Sequence, residues 1–130
     1  MGSAFHHVHI KSRDPRASAR WWHDMFGATI LPESDFGTML FVPIVLDGVR
    51  INITGHGPEE TATMADPQPT PYFGLEHIGV HVDDLDAVLD RVAAQGLPIL
   101  ERRPGAGGYE IAYVTTPDGV CLELLTGGPV

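Results

Sequence analysis

Two histidines and one glutamate stand at positions where the chain could build a metal site. His7 and His77 occur in two similar short segments, and Glu123 interrupts an otherwise apolar run. Two neutral imidazoles and one carboxylate form a ligand set for a borderline divalent metal and leave coordination positions open for substrate or water. An unpaired glutamate is costly to bury, which favours a role for Glu123. The three residues are therefore predicted to bind Fe, Mn, Co, Ni or Zn, with no other cofactor.

Asn52 is a candidate for a fourth ligand. It occupies the position in the first half of the chain that matches Glu123 in the second half. Because an amide oxygen is a poor ligand for such metals, Asn52 could equally act through a water molecule or bind the substrate directly. These positions are far apart in sequence, so the prediction of a shared site depends on the elements that carry them.

The chain consists of two similar halves. The segment 5–14 aligns with the segment 75–84, and each reads as a strand that ends in acidic or turn residues. Each is followed by a helix, with an aspartate at its start and a glycine just beyond its end, and then by three strands. The predicted organisation is a single domain, 1–130, with module one at 5–57, a proline-rich linker at 58–71 and module two at 72–127.

Six strands are predicted after the two helices, at 28–31, 38–46, 49–54, 97–100, 109–115 and 120–125. Side chains alternate between the two faces of a strand, so His7 and His9 share one face, and Glu123 lies opposite Leu122 and Leu124. The helices are predicted to cover the apolar faces, while the polar faces line a cavity. We therefore predict an α+β fold in which two βαβββ modules form a curved, eight-stranded mixed sheet around a metal cavity.

Composition and charge exclude several classes of partner. Of the 130 residues, 43% are hydrophobic and 19% are charged, which is typical of a globular domain. The net charge of −9 argues against a phosphate-binding surface and therefore against nucleic acid. No apolar run is long enough to span a membrane. Because a single cysteine, Cys121, excludes an intramolecular disulfide, we expect a reducing, cytoplasmic location.

Several motifs resemble the vicinal oxygen chelate superfamily, which includes glyoxalase I, methylmalonyl-CoA epimerase, extradiol dioxygenases, fosfomycin-resistance transferases and bleomycin-binding proteins. The resemblance extends over about residues 5–126. Its main pieces are HVHI at 7–10, WWHDMFG at 21–27, HIGV at 77–80 and PDGVCLEL at 117–124. It implies metal positions at His7, Asn52, His77 and Glu123. It also implies a homodimer, since two chains of this superfamily often complete each other's half-barrels.

Within the superfamily, two segments are similar to methylmalonyl-CoA epimerases. These segments are RPGAGG at 103–108 and IAY at 111–113. The epimerases also carry an amide ligand, a glutamine, where this chain has Asn52. Their glutamate base would fall near Asp35 or Glu33, in the loop before the third strand.

A metal with open positions can bind two vicinal oxygens of a substrate and stabilise an enolate, while a base removes the α-proton. Candidates for the catalytic groups are Glu123, His9 and Asp35, and Tyr113 could donate a hydrogen bond to a substrate oxygen. The predicted function is a divalent-metal-dependent isomerase or lyase acting on a small oxygenated acid or thioester. Two alternatives stay open: a non-haem Fe(II) extradiol-type dioxygenase, and an antibiotic-resistance or drug-sequestering protein.

Overall fold

A computed structural model describes residues 2–37 and 39–129. The chain divides into a first unit, residues 1–65, and a second unit, residues 66–130. Within the described residues the strands form one sheet of five strands and one sheet of four, both with parallel and antiparallel pairs. The predicted α+β class is confirmed, and the strands form two sheets rather than one. Among the described residues, no helix combines the length and apolar character needed to cross a membrane.

The first unit has the strand order β1-β5-β4-β2, and β3 also pairs with β4. Its elements are β1 (Val8–Lys11), α1 (Pro15–Phe26), β2 (Thr29–Ile30), β3 (Ser34–Asp35), β4 (Leu40–Leu46), β5 (Val49–Thr54) and α2 (Pro58–Thr61). The pair β1–β5 is parallel, and β2, β3 and β5 each run antiparallel to β4.

The second unit repeats this order as β6-β9-β8-β7, again with one parallel pair, β6–β9. Its elements are β6 (Ile78–His81), α3 (Leu85–Ala94), β7 (Ile99–Pro104), β8 (Tyr109–Thr115) and β9 (Cys121–Gly127), with a 3-10 turn at Ala106–Gly108. The parallel registers correspond as well: His9 lies opposite Asn52 in the first unit, and Gly79 lies opposite Glu123 in the second.

Side-chain hydrogen bonds start both long helices, and a glycine ends α1. The Asp14 carboxylate accepts from the Ala17 N–H at the start of α1, and Asp84 does the same for Ala87 at the start of α3. These bonds satisfy backbone donors that the first turn of a helix leaves free. Helix α1 ends at Gly27, whose φ of 75° is a conformation that glycine adopts without steric cost.

Each long helix covers the apolar face of its own sheet. Helix α1 packs on β4 and β5, and α3 packs on β7 and β9. Trp22 of α1 and Val92 of α3 are fully buried in these layers. The opposite faces of the two sheets therefore remain for polar residues.

Several boundaries differ from those predicted. Strand β7 extends to Pro104 because it pairs with β8 as far as Glu110. The strand predicted at 38–46 begins at Leu40, and Thr38 lies outside the described residues. Three short elements were not predicted. They are β3, the 3-10 turn at Ala106–Gly108, and α2, which occupies the start of the predicted linker. Proline at the first position and the Glu60 side chain, which accepts from the Gly57 N–H, explain α2.

The two faces of β9 can be compared by truncating adjacent leucines. Leu124 is fully buried, whereas Leu125 is half-buried on the face that carries Glu123. We expect Leu124→Ala to lower the free energy of unfolding by about 2–5 kcal/mol, because it leaves a cavity in the core. The matched variant Leu125→Ala should lose less than half as much. Urea unfolding measures both, and equal losses would contradict the assignment of the two faces.

Candidate metal site

His77 and Glu123 are in contact in the second unit. Glu123 lies on β9, next to β6 in the sheet, and His77 immediately precedes β6. The distance from His77 Nε2 to Glu123 Oε2 is 2.9 Å, and both side chains are largely shielded from solvent. Gly79 of β6 lies opposite Glu123 in the register. The parallel pairing of β6 and β9 therefore brings two of the three predicted ligands together.

Glu76 forms a hydrogen bond with Nδ1, the second ring nitrogen of His77. Its Oε1 atom accepts a hydrogen bond from His77 Nδ1 at 2.8 Å, so both ring nitrogens face a carboxylate. Histidines that bind metals usually donate their second ring N–H to such a partner, which fixes the tautomer and the ring orientation. The sequence did not single out Glu76, because alternation would place it on the opposite face from His77. Both residues precede β6, where alternation does not apply.

Tyr113 supports Glu123 from the neighbouring strand. The two residues are register partners on β8 and β9, and the Tyr113 hydroxyl donates to Glu123 Oε2 at 3.0 Å. The Tyr113 ring also packs edge-to-face on His77, with 5.3 Å between the ring centroids. Burial, and then the hydrogen bond to Glu123, raise the pKa of the Tyr113 phenol. Tyr113 is therefore a protonated donor at neutral pH, and in this structure it donates to Glu123.

Two donors of the types that divalent metals prefer converge in the second unit. His77 Nε2 and Glu123 Oε2 converge, and imidazole and carboxylate suit Mn, Fe, Co, Ni and Zn. Within residues 2–37 and 39–129, no group of three or more His, Cys, Asp and Glu side chains is placed to hold an ion. The predicted third ligand, His7, belongs to the first unit.

In the first unit, His7 immediately precedes β1, and His9 lies within it. Their ring centroids are 6.2 Å apart, and His7 Nδ1 lies 2.8 Å from His6 Nδ1. His9 Nε2 lies 2.6 Å from the Thr54 hydroxyl on β5. Burial, and then the positive charge of Lys11, lower the pKa of His9. His9 is therefore neutral at pH 7 and retains a nitrogen that can accept a proton.

Asn52 is buried on β5, beside His9 in the register. Its side-chain oxygen, the atom that would ligate a metal, accepts a hydrogen bond from Arg50 Nε at 2.9 Å. Direct ligation would therefore compete with the Arg50 guanidinium. This contact joins residues i and i+2 of one strand, and strand alternation predicts only that they share a face.

Asp35 and Glu33 lie on the other side of the first sheet. Asp35 ends β3, is exposed and accepts from the Gly37 N–H at 2.8 Å. Strands β4 and β5 separate β3 from β1, a distance of about 14 Å at the usual strand spacing. Within the first unit, Asp35 is thus not brought together with His7 and His9. Arg16 donates a bidentate hydrogen bond to the Glu33 carboxylate. This interaction lowers the pKa of the Glu33 carboxyl and makes it a weak base.

A cleft of about 790 Å³ lies in the second unit. Three prolines, Pro67, Pro69 and Pro71, form one wall, and Glu76, Glu101, Arg103 and Tyr113 are among its polar lining residues. A Cβ atom on Gly119 would lie 2.5 Å from Pro67, so the proline segment packs closely on the turn before β9. The cleft has the size and mixed lining of a small-molecule site. Its lining includes Glu76, which contacts His77, and Tyr113, which contacts Glu123.

Comparison with known proteins identifies related sequences. A family model described as the Glyoxalase/Bleomycin resistance protein/Dioxygenase superfamily matches residues 4–124. Glyoxalase I of Saccharomyces cerevisiae is 24% identical over an alignment of 142 residues. The alignment, which includes gaps, covers 92% of this chain and 44% of the yeast protein. A protein of Arabidopsis thaliana named "Probable lactoylglutathione lyase, chloroplastic" is 26% identical over 135 residues, with coverages of 95% and 35%. The chain thus spans less than half the length of these curated relatives.

Solved structures share the fold. A glyoxylase/bleomycin resistance protein/dioxygenase domain from Frankia sp. EAN1pec has a TM-score of 0.73 and 26% identity, covering 96% of this chain and 98% of that one. The fosfomycin resistance protein FosX from Mesorhizobium loti has a TM-score of 0.70 and 20% identity, with coverages of 98% and 94%. A variant of FosX from Listeria monocytogenes, complexed with Mn(II) and 1S,2S-dihydroxypropylphosphonic acid, has a TM-score of 0.71, 20% identity and the same coverages.

A double-mutant cycle tests the contact between Tyr113 and Glu123. We expect Tyr113→Phe and Glu123→Ala to be coupled in the metal-free protein by about 0.5–3 kcal/mol, because each removes one partner of the same hydrogen bond. Chemical denaturation of the two single variants and the double variant measures the coupling. Tyr109→Phe, on the same strand, removes a hydroxyl that donates to the Pro129 carbonyl and should be additive with Glu123→Ala. Additive effects for Tyr113→Phe as well would contradict the contact.

Proposed function

The chain belongs to the Glyoxalase/Bleomycin resistance protein/Dioxygenase superfamily, as its motifs predict, and on this premise we propose that it is a divalent-metal-dependent isomerase or lyase. The observation that carries the proposal is the 2.9 Å approach of His77 Nε2 and Glu123 Oε2, with each side chain held by a further partner. The proposed ligands are His77, Glu123 and, on the basis of the sequence repeat, His7. Asn52 is proposed to bind substrate rather than metal, because Arg50 engages its oxygen.

The proposed reaction moves a proton at a carbon next to a carbonyl group. When bound, a divalent metal would polarise the substrate oxygens and stabilise the negative charge that develops on them. Glu76 keeps the His77 ring in place, and Tyr113 keeps the Glu123 carboxylate in place. The cleft beside them offers apolar proline surface for the body of a small substrate. Together these groups can bind and orient the reacting end of the substrate.

Glu123 and His9 are the proposed proton acceptors. Glu123 is partly buried and lies in contact with His77 and the Tyr113 hydroxyl. His9 is neutral at pH 7, and its Nε2 atom lies next to the Thr54 hydroxyl in a partly buried contact. Asp35 is a weaker candidate, since it is exposed and its carboxylate accepts a backbone N–H in its own loop.

A small oxygenated acid or its thioester is the proposed substrate class. The names of the two curated relatives, glyoxalase I and lactoylglutathione lyase, support lyase chemistry. The thioester alternative rests on the similarity of residues 103–108 to methylmalonyl-CoA epimerases and on the amide at Asn52. The homodimer and the cytoplasmic location expected from the sequence are also part of the proposal, and sedimentation velocity of the purified chain measures the dimer.

Metal content tests the proposed ligands. We expect about one equivalent of Fe, Mn, Co, Ni or Zn per chain in protein purified anaerobically without a nickel column. Inductively coupled plasma mass spectrometry measures the metal content. His7→Ala, His77→Ala and Glu123→Ala should each lose the metal, because each removes one ligand. The control His81→Ala removes a histidine from β6 whose Nε2 contacts the Gly127 carbonyl, and it should retain the metal.

A wild-type protein that stays metal-free after incubation with each of the five metals would overturn this proposal. It would favour a drug-sequestering protein instead.

Isotope exchange tests the class of reaction. The metal-loaded protein is incubated under nitrogen in D₂O with a panel of 2-hydroxy acids, 2-oxo acids and acyl thioesters. We expect at least one compound to lose the proton NMR signal of a C–H next to its carbonyl group, which is on C2 in the 2-hydroxy acids and thioesters and on C3 in the 2-oxo acids, because a base that removes this proton returns deuterium. Glu123→Ala should abolish the exchange, and His81→Ala should not. Turnover that requires O₂ would contradict the proposal and favour the dioxygenase.

A further inference from the structure

We propose that Glu76 is the positioning residue of the metal site, and that it orients the His77 ring so that Nε2 points toward Glu123. The inference rests on the proposed function, because it concerns the same metal. It adds a residue that lies outside the predicted ligand set. Glu76 accepts a hydrogen bond from His77 Nδ1, the ring nitrogen that does not face Glu123.

Both carboxylate oxygens of Glu76 are engaged. Oε1 accepts from His77 Nδ1 at 2.8 Å, and Oε2 accepts from the Tyr72 N–H at 3.3 Å. The Tyr72 hydroxyl donates to the Glu76 carbonyl oxygen at 3.2 Å and to the Leu75 carbonyl oxygen at 3.0 Å. The Glu76 side chain and its backbone are therefore both tied to the segment before β6. A carboxylate held in this way can in turn hold an imidazole ring.

The contact decides which nitrogen of His77 is available to a metal. In the metal-free protein a carboxylate faces each ring nitrogen, whereas a metal bound between Nε2 and Glu123 would take the Nε2 lone pair and leave the proton on Nδ1, where Glu76 accepts it. The Tyr113 ring, packed edge-to-face on His77, restricts rotation from another direction. Without Glu76, the ring could rotate or change tautomer, and part of the binding free energy would be spent on restoring the orientation.

Glu101 provides a matched control for charge. It lines the same cleft as Glu76, but its carboxylate accepts from Arg103 Nε at 2.9 Å, and its register partner is Tyr113. Removing Glu101 therefore removes one negative charge from the cleft without removing the partner of His77. A general loss of negative potential would affect both variants alike, whereas positioning is specific to Glu76.

Titration of the metal-free protein with Mn(II), followed by calorimetry, tests the inference. We expect Glu76→Ala to weaken Mn(II) binding by about 10–100-fold, the effect typical of removing such a partner. Glu76→Gln should recover part of the loss, because its amide oxygen can still accept from Nδ1–H. Glu101→Ala should bind Mn(II) as the wild type does. Circular dichroism of the metal-free variants confirms that each is folded.

The visible spectrum of the Co(II)-loaded protein gives a second readout, independent of turnover. At saturating Co(II), the absorption bands of Glu76→Ala should differ from those of the wild type and of Glu101→Ala, because a reoriented ring changes the ligand field. Unchanged affinity and spectrum in Glu76→Ala, or an equal loss in Glu101→Ala, would overturn the role of Glu76 alone. A wild type that binds none of the five metals would overturn the proposed function, and this inference with it.

Discussion

The shielding of one carboxylate governs the architecture of the second unit. Glu123 lies on a strand whose neighbouring residues, Leu122 and Leu124, are fully buried, and its own side chain is largely withdrawn from water. A charge in such a position needs partners, since desolvation costs several kcal/mol when it is not compensated. His77 and the Tyr113 hydroxyl are those partners. They reach Glu123 because β6 and β8 flank β9 in the sheet.

The features that the sequence predicts correctly depend on local chemistry. Asp14 and Gly27 bound α1 because a side-chain oxygen and a left-handed glycine act within one turn of the helix. The faces of β9 follow from the two-residue period of a strand, which is independent of what the strand packs against. The correspondence of Asn52 with Glu123, first seen in the repeat, holds in the parallel registers of the two sheets.

The features that the sequence does not predict depend on neighbours from other segments. Strand β7 is longer than its apolar residues suggest, because its pairing with β8 continues to Pro104. The role of Glu76 depends on how the chain turns before β6, where the alternation of a strand does not apply. The Arg50–Asn52 contact depends on side-chain conformations. His7 as the third ligand, and the choice between Glu123 and His9 as the base, stay predictions. They too depend on side chains from separate segments of the chain.

The two units share a strand order but differ in the charge of the residues at equivalent positions. Where the second unit has Glu123, with Glu76 beside its histidine, the first has the neutral Asn52, with the Arg50 guanidinium on its oxygen. Lys11 contributes further positive charge and lowers the pKa of His9. Lys11 is itself paired with Glu60 at 2.8 Å, and the carboxylates that would attract a cation most directly are the two that face His77. The same strand order therefore carries different polar side chains in the two units: carboxylates face the ring of His77 in the second, and an amide and a guanidinium pair on β5 in the first.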